Sequence, residues 1–366
     1  MKITNIEIIP AFIPWKKTPP VSSRAQGKRA CSVVKVSTDE GITGYSEAAI
    51  TGYPETAIRA FMEEWIEPLL LGENPMNVER LWDKVYRQSL GHNNNRQGAA
   101  ITALGALEIA LWDIIGKARK IPLYEMIGGL CKNKVKAYAS LMGYDTPMEV
   151  AETAFRCVDE GYTAIKLHQA RNTIPSVKAV REAVGDQVTM MLDVSGAWSP
   201  RQAVENAKKL EQYNIFWLEE PIWPVDDYHG LAYLRERTSI PIAGGESDNT
   251  HYGFRELITS QAIDIIQPDV ATAGGILTCR KIFALAEAWN LQIAIHSFTF
   301  GPALAAAVHL SLSNTRSEYV EVCYTPIDEY YMQPPLRQEN GYLTLPDKPG
   351  LGIEIDEKVL KKYASR

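Results

Sequence analysis

Acids and bases recur in this chain at a regular spacing. Lys166 and His168 stand two apart in "AIKLHQ" (164–169). Asp193 follows in "VTMMLDVS", Glu219 and Glu220 in "IFWLEEP", and Glu246 in "IPIAGGES". Asp269 then falls in "IDIIQPD", His296 in "LQIAIHS" and Glu321 in "EYVEVC". Most lie toward the C-terminal end of a short apolar run. Residues two apart on a strand face the same side, so Ala164, Lys166 and His168 share one face and Ile165 and Leu167 the other. Burying a charge without a partner costs several kcal/mol. A chain that puts charges at the same end of one apolar run after another is therefore gathering them at one site.

The residue types say what that site could do. Asp193, Glu219 and Glu246 offer only oxygen, which fits a hard cation: Mg²⁺ first, with Mn²⁺ as the alternative. Asp269 beside His296 would fix the imidazole tautomer and raise its basicity. Lys166 and His168 bring proton-transfer groups to a second side. A Lewis acid flanked by bases suits removal of the proton α to a carboxylate, because the cation stabilises the enediolate that water cannot.

The elements that must position these groups can be read from the same runs. Apolar, β-branched or aromatic stretches fall at 135–140, 164–169, 188–195, 215–221, 240–247, 263–269, 291–297 and 318–323. Amphipathic segments such as "TPMEVAETAFRCVDEG" and "SPRQAVENAKKLEQY" lie between them. Strands hydrophobic on both faces and alternating with helices predict a parallel sheet covered by helices. Eight such units suit a closed α/β barrel, in which functional groups sit at the C-terminal strand ends. No G-x-G-x-x-G follows a strand and no Walker loop is present, which argues against dinucleotide or nucleotide binding. The first third reads as a small α+β unit, with an alternating strand over 3–10 and a hairpin turning at Asp39-Glu40-Gly41. Helical patterns follow over 55–70, 77–89 and 98–118. The expected division is 1–125 for this unit, 126–330 for the barrel, and 331–366 for a segment packing back on the small unit.

Composition narrows the class. The chain has 366 residues, 46% hydrophobic and 22% charged, with a net charge of −6. Neither nucleic acid nor an anionic membrane is expected as a partner. The scattered, odd-numbered cysteines (Cys31, Cys131, Cys157, Cys279, Cys323) contain no CxxC pair, so a reducing cytoplasm is the expected compartment. The N-terminus alternates like a strand rather than a signal peptide, and no apolar run is expected to reach membrane-span length.

The ordered motifs resemble the enolase superfamily, in its mandelate racemase group, over essentially the whole chain. They are "VVKVSTDEGITGYSEA", "ALEIALWDIIGKARKIPLYEMIGG", "MLDVSGAW", "FWLEEP", "AGGES", "QPDVATAGG" and "AIHS". The resemblance implies an N-terminal α+β capping domain over a (β/α)7β modified TIM barrel. It implies Asp193, Glu219 and Glu246 as Mg²⁺ ligands, the Asp269–His296 pair as acid/base, and Glu321 as a hydrogen-bonding partner of the substrate carboxylate. A homo-oligomer, dimer or octamer, is implied as well. Two departures stand out. The family commonly has Lys-x-Lys where this chain has "KLH". Either His168 takes the base position with Lys166 in support, or Lys166 is the base, or His168 only binds a substrate hydroxyl. "DVS" also replaces the usual D-x-N, which puts Ser195 where an amide often meets substrate. The specificity loops would fall near 14–29 and 50–56. The first carries Lys16, Lys17, Arg24, Lys28 and Arg29 without an acid, which suits a lid over an anion; Tyr53 and His92 are further candidate contacts. The activity implied is dehydration of a polyhydroxy sugar acid to a 2-keto-3-deoxy acid. The alternative is racemisation, epimerisation or cycloisomerisation of a carboxylic acid through the same intermediate.

Overall fold

The computed structural model describes residues 1–16, 28–48, 55–90 and 97–364. The N-terminal unit is an antiparallel sheet of β1 (Ile3–Pro14), β2 (Lys28–Thr38) and β3 (Thr43–Ala48), in that order. Gly41 closes the β2–β3 hairpin at φ +76, a conformation that costs glycine little. Ile6, Val34 and Val36 on the sheet pack against Ile58, Leu104 and Leu111 from the helices that follow. The helix Ala99–Arg119 ends at Lys120 in the left-handed region (φ 58), an ordinary helix stop. It is 21 residues long with mean hydropathy 1.6, enough by length and composition to cross a membrane. Glu108 and Asp113 interrupt its apolar residues. The helix is nonetheless 94% buried within the protein, because it packs on the sheet and on the barrel together.

The barrel is formed by β4 (Val135–Ser140), β5 (Ala164–His168), β6 (Thr189–Asp193), β7 (Ile215–Glu219), β8 (Ile242–Gly244), β9 (Ile265–Ile266), β10 (Gln292–Ile295) and β11 (Ser317–Cys323). All eight pair parallel in sequence order, and β11 closes on β4. One helix lies between each successive pair, which makes the architecture (β/α)7β. Two of these helices start at capping boxes, Thr146 with Glu149 and Ser199 with Gln202, each followed by proline at the first helical position. Such starts satisfy the free N–H groups and fix where each helix begins.

The inward faces form a plug with one residue from each strand: Tyr138, Ala164, Met191, Trp217, Ala243, Ile265, Ala294 and Tyr319. Large and small side chains share the space, so the barrel is filled and its plug floors whatever lies at the strand ends. Ile165 and Leu167 belong instead to the layer between strands and helices, as the two-residue alternation requires. The C-terminal segment does more than return to the small unit. A short strand, Tyr342–Leu343, adds to the N-terminal half of β4, and the Tyr363 carbonyl accepts from the Phe12 amide of β1.

Candidate active site

Strand register sets three of the groups side by side. His168 pairs with Asp193, and Asp193 with Glu219, so the ends of β5, β6 and β7 lie level. Glu246 follows the Gly244-Gly245 turn, where Gly245 has φ +125 and a Cβ would meet the Phe254 ring at 2.8 Å. Glycine there lets the chain turn sharply enough to bring Glu246 to its neighbours. The ligand atoms of Asp193, Glu219 and Glu246 all lie within 4.8 Å of one another. Three carboxylates so close repel unless a cation holds them, and an all-oxygen donor set fits a hard divalent ion.

Two of the three carboxylates are oriented by hydrogen bonds from this chain. Asp193 Oδ1 accepts from the Ser195 amide (2.6 Å) and hydroxyl (3.1 Å). Ser195 thus holds a carboxylate of the cluster. Glu219 Oε2 accepts from Trp217 Nε1 (2.8 Å) and Gln267 Nε2 (2.6 Å), while Oε1 accepts from Lys166 Nζ (2.5 Å). Burial, followed by the neighbouring carboxylates, pushes Glu219 up to about 7 against the pull of Lys166. Glu220 turns away at φ 38, and both the amide and the hydroxyl of Ser247 donate to it.

The proton-transfer groups flank this cluster. His168 Nδ1 lies 2.6 Å from the Leu141 carbonyl, so Nδ1 carries the proton, and Nε2 faces Asp193 Oδ2 at 2.9 Å. On the other flank His296 Nδ1 faces Asp269 Oδ2 at 2.8 Å, and its Nε2 lies 2.8 Å from Glu246 and 3.3 Å from Glu321. Asp269 is itself fixed by the amides of Ala271 (2.9 Å) and Thr272 (3.1 Å). Burial disfavours both imidazolium ions, but the carboxylates beside them prevail and hold His168 above, and His296 well above, the ordinary imidazole range. Lys166 is fully buried, with Glu219 and Glu321 (3.0 Å) on its ammonium. Burial opposes that charge too, yet the two carboxylates keep the lysine well above its usual value. Glu321 is held low: burial opposes ionisation, and Lys166 and His296 outweigh it.

The structure therefore gathers Lys166, His168, Asp193, Glu219, Glu246, Asp269, His296 and Glu321 at one end of the barrel. Arg24, Tyr53, His92 and Lys17 lie outside the described residues. Sequence reasoning missed Gln267 and Trp217, which fix Glu219. Gln267 was open to notice, being a polar residue two positions before Asp269 in an apolar run.

Comparison with known proteins agrees with this geometry. Residues 6–128 match the family described as "Mandelate racemase / muconate lactonizing enzyme, N-terminal domain", and residues 149–359 that described as "Enolase C-terminal domain-like". The chain is 33% identical to D-xylonate dehydratase of Haloferax volcanii, over 88% of this chain and 83% of that protein. It is also 33% identical to arabinonate dehydratase of Saccharolobus solfataricus, over 90% and 89%. A solved racemase from Streptomyces coelicolor A3(2) with bound magnesium superposes with a TM-score of 0.89 at 27% identity, covering 99% of this chain and 100% of that one. Capping sheet, closed barrel, carboxylate triad and Asp–His pair together place this chain in the mandelate racemase/muconate lactonizing enzyme group of the enolase superfamily, and it is an enzyme.

Proposed function

We propose that the protein dehydrates a polyhydroxy carboxylic acid to a 2-keto-3-deoxy acid, with Mg²⁺ held by Asp193, Glu219 and Glu246. The observation that carries this reading is the pair of imidazoles, each presenting Nε2 to the carboxylate cluster from a different flank of the barrel. These three carboxylates would hold the cation, which when bound would polarise the substrate carboxylate and offset the charge of Asp193 against His168. His168, held through Nδ1 by Leu141, is placed to take the α-proton on Nε2. Lys166 is locked as an ammonium by two carboxylates, so its part is to neutralise charge that develops on the substrate carboxylate. His296, kept protonated by Asp269 and its other neighbours, is the acid for the departing 3-hydroxyl. The dehydratase relatives support loss of water as the overall outcome.

A second reading keeps the proton transfer and omits the loss of water. Bases on two flanks are what inversion at the α-carbon requires, and a racemase is among the similar structures. Proton NMR in D₂O with Mg²⁺ and a panel of sugar acids separates the two. Signals of a 2-keto-3-deoxy acid establish dehydration, whereas α-exchange with inversion and no dehydration moves the enzyme to the racemase reading. His296→Asn should retain α-exchange while losing dehydration; loss of both together would remove the acid role given to His296.

A further inference from the structure

Charged side chains are almost never fully buried unless they are paired. Arg29, on β2 of the capping sheet, departs from that rule. It is 4% exposed, yet it forms no ion pair with any described residue. The stretches outside the described residues contain no Asp or Glu. One guanidinium nitrogen, Nη2, donates to the Phe298 carbonyl, and Nε is buried without an acceptor. The nearby carboxylate of Glu47 is already taken by the hydroxyls of Thr299 and Tyr331.

The location gives this unpaired cation its meaning. The guanidinium lies 5.2 Å from the centre of the Phe298 ring, and that ring meets the His168 imidazole edge-on at 6.0 Å. Phe298 follows His296 by two residues. The charge of Arg29 also reaches Cys323, two residues beyond Glu321. Arg29 therefore stands at the seam between capping sheet and barrel mouth, on the flank where the proposed base works. A tether to one backbone carbonyl needs only a neutral donor. A flat fork of donors is suited to a carboxylate.

We infer that Arg29 binds a second carboxylate at the end of the substrate distal to the metal, so that the preferred substrate is a dicarboxylic sugar acid (an aldarate) rather than the matching aldonate. This rests on the reaction proposed above and names its substrate class.

The test is kcat/KM for C5 and C6 aldarates and for aldonates of the same configuration, in wild type, Arg29→Met and Arg29→Lys. Wild type should prefer the aldarate by at least about tenfold, the scale of one charge-assisted contact. Arg29→Met should collapse that ratio chiefly through KM, and Arg29→Lys should restore part of it. Equal use of both acids by wild type overturns the inference, and so does a ratio unchanged in Arg29→Met. Preference for an acid phosphorylated at its far end also overturns it. If Arg29→Met does not fold, the wild-type ratio alone decides. If no sugar acid reacts, the reaction proposal falls and calorimetry with Mg²⁺ decides the present one. Glutarate binding at least tenfold tighter than butyrate supports it, and equal binding refutes it.

Discussion

At the scale of single residues, the proposed reaction divides "KLH" into two jobs that the sequence left open between Lys166 and His168. Alternation alone puts both side chains on the inner face. What divides them is depth: Lys166 is fully enclosed with two carboxylates on its ammonium, and His168 stands at the strand end with a backbone carbonyl fixing its tautomer. A buried, doubly paired lysine cannot readily give up its proton. His168→Asn should therefore lower kcat by about 100- to 10,000-fold, the usual range for a general base. It should also abolish α-proton exchange in D₂O while leaving the melting temperature close to wild type. Exchange at the wild-type rate in this variant would hand the base role back to Lys166. The donors on Glu219 make a separate prediction. Trp217→Phe removes one of the two N–H groups that fix Oε2, and loss of such an outer contact typically weakens metal affinity about 10- to 100-fold. Calorimetric titration with Mg²⁺ would show the weaker binding, and addition of a chelator should abolish turnover in wild type and variant alike.

At the scale of elements, the segment joining β9 to the next helix connects the capping domain to the chemistry. Residues 269–275 carry Asp269 and the amides that hold it, and the helix Ala99–Arg119 lies directly against them. A Cβ on Gly105 of that helix would stand 2.1 Å from the Ala271 carbonyl oxygen and 3.0 Å from Gly274 Cα. In an exposed helix interior, glycine to alanine gains roughly 0.5–1 kcal/mol. Gly105→Ala should instead cost about 1–3 kcal/mol, as overpacking does, and should lower kcat because the displaced segment carries Asp269. A denaturation midpoint that rises in Gly105→Ala would refute this. Such a contact shows how far the fold could be read in advance. The eight barrel strands were legible because each is a compact apolar run, seven of them with charge near the C-terminal end, and the His168–Asp193–Glu219 level follows from strand order. The close approach at Gly105 was not, since nothing in "ITALGALEIA" tells which backbone lies opposite. Nor could residue type alone show that Ser195, Trp217 and Gln267 spend their donors on carboxylates of the cluster. Each needed partners that only the closed barrel brings within reach.

At the scale of the whole molecule, the seam between the two units contains two buried groups that titrate in opposite senses. Glu108, on the capping helix, accepts from the amides of Ile276 (2.6 Å) and Leu277 (2.9 Å) at the start of a barrel helix, and from Trp112 (2.7 Å). Burial pushes it up to about 7 even against these donors. His309, on the helix Pro302–Leu312, accepts the Tyr124 amide at 3.2 Å through Nδ1 and stacks on the Tyr124 ring. Burial lowers it to about 4. An acid raised from 4.5 to about 7 favours the folded state at low pH, and that contribution is lost as pH rises through this window. A base lowered from 6.5 to about 4 loses its contribution as pH falls through the same region. Between about pH 5 and 6.5 the two slopes, each approaching 1.4 kcal/mol per pH unit, oppose one another and largely cancel. Removing either group should expose the other. Relative to wild type, the unfolding free energy of His309→Asn should fall as pH rises across this range, and that of Glu108→Gln should rise. Urea titrations at half-unit steps would measure both. Parallel curves for the two variants would mean that neither group changes its proton affinity on folding, and that the seam is held by packing alone.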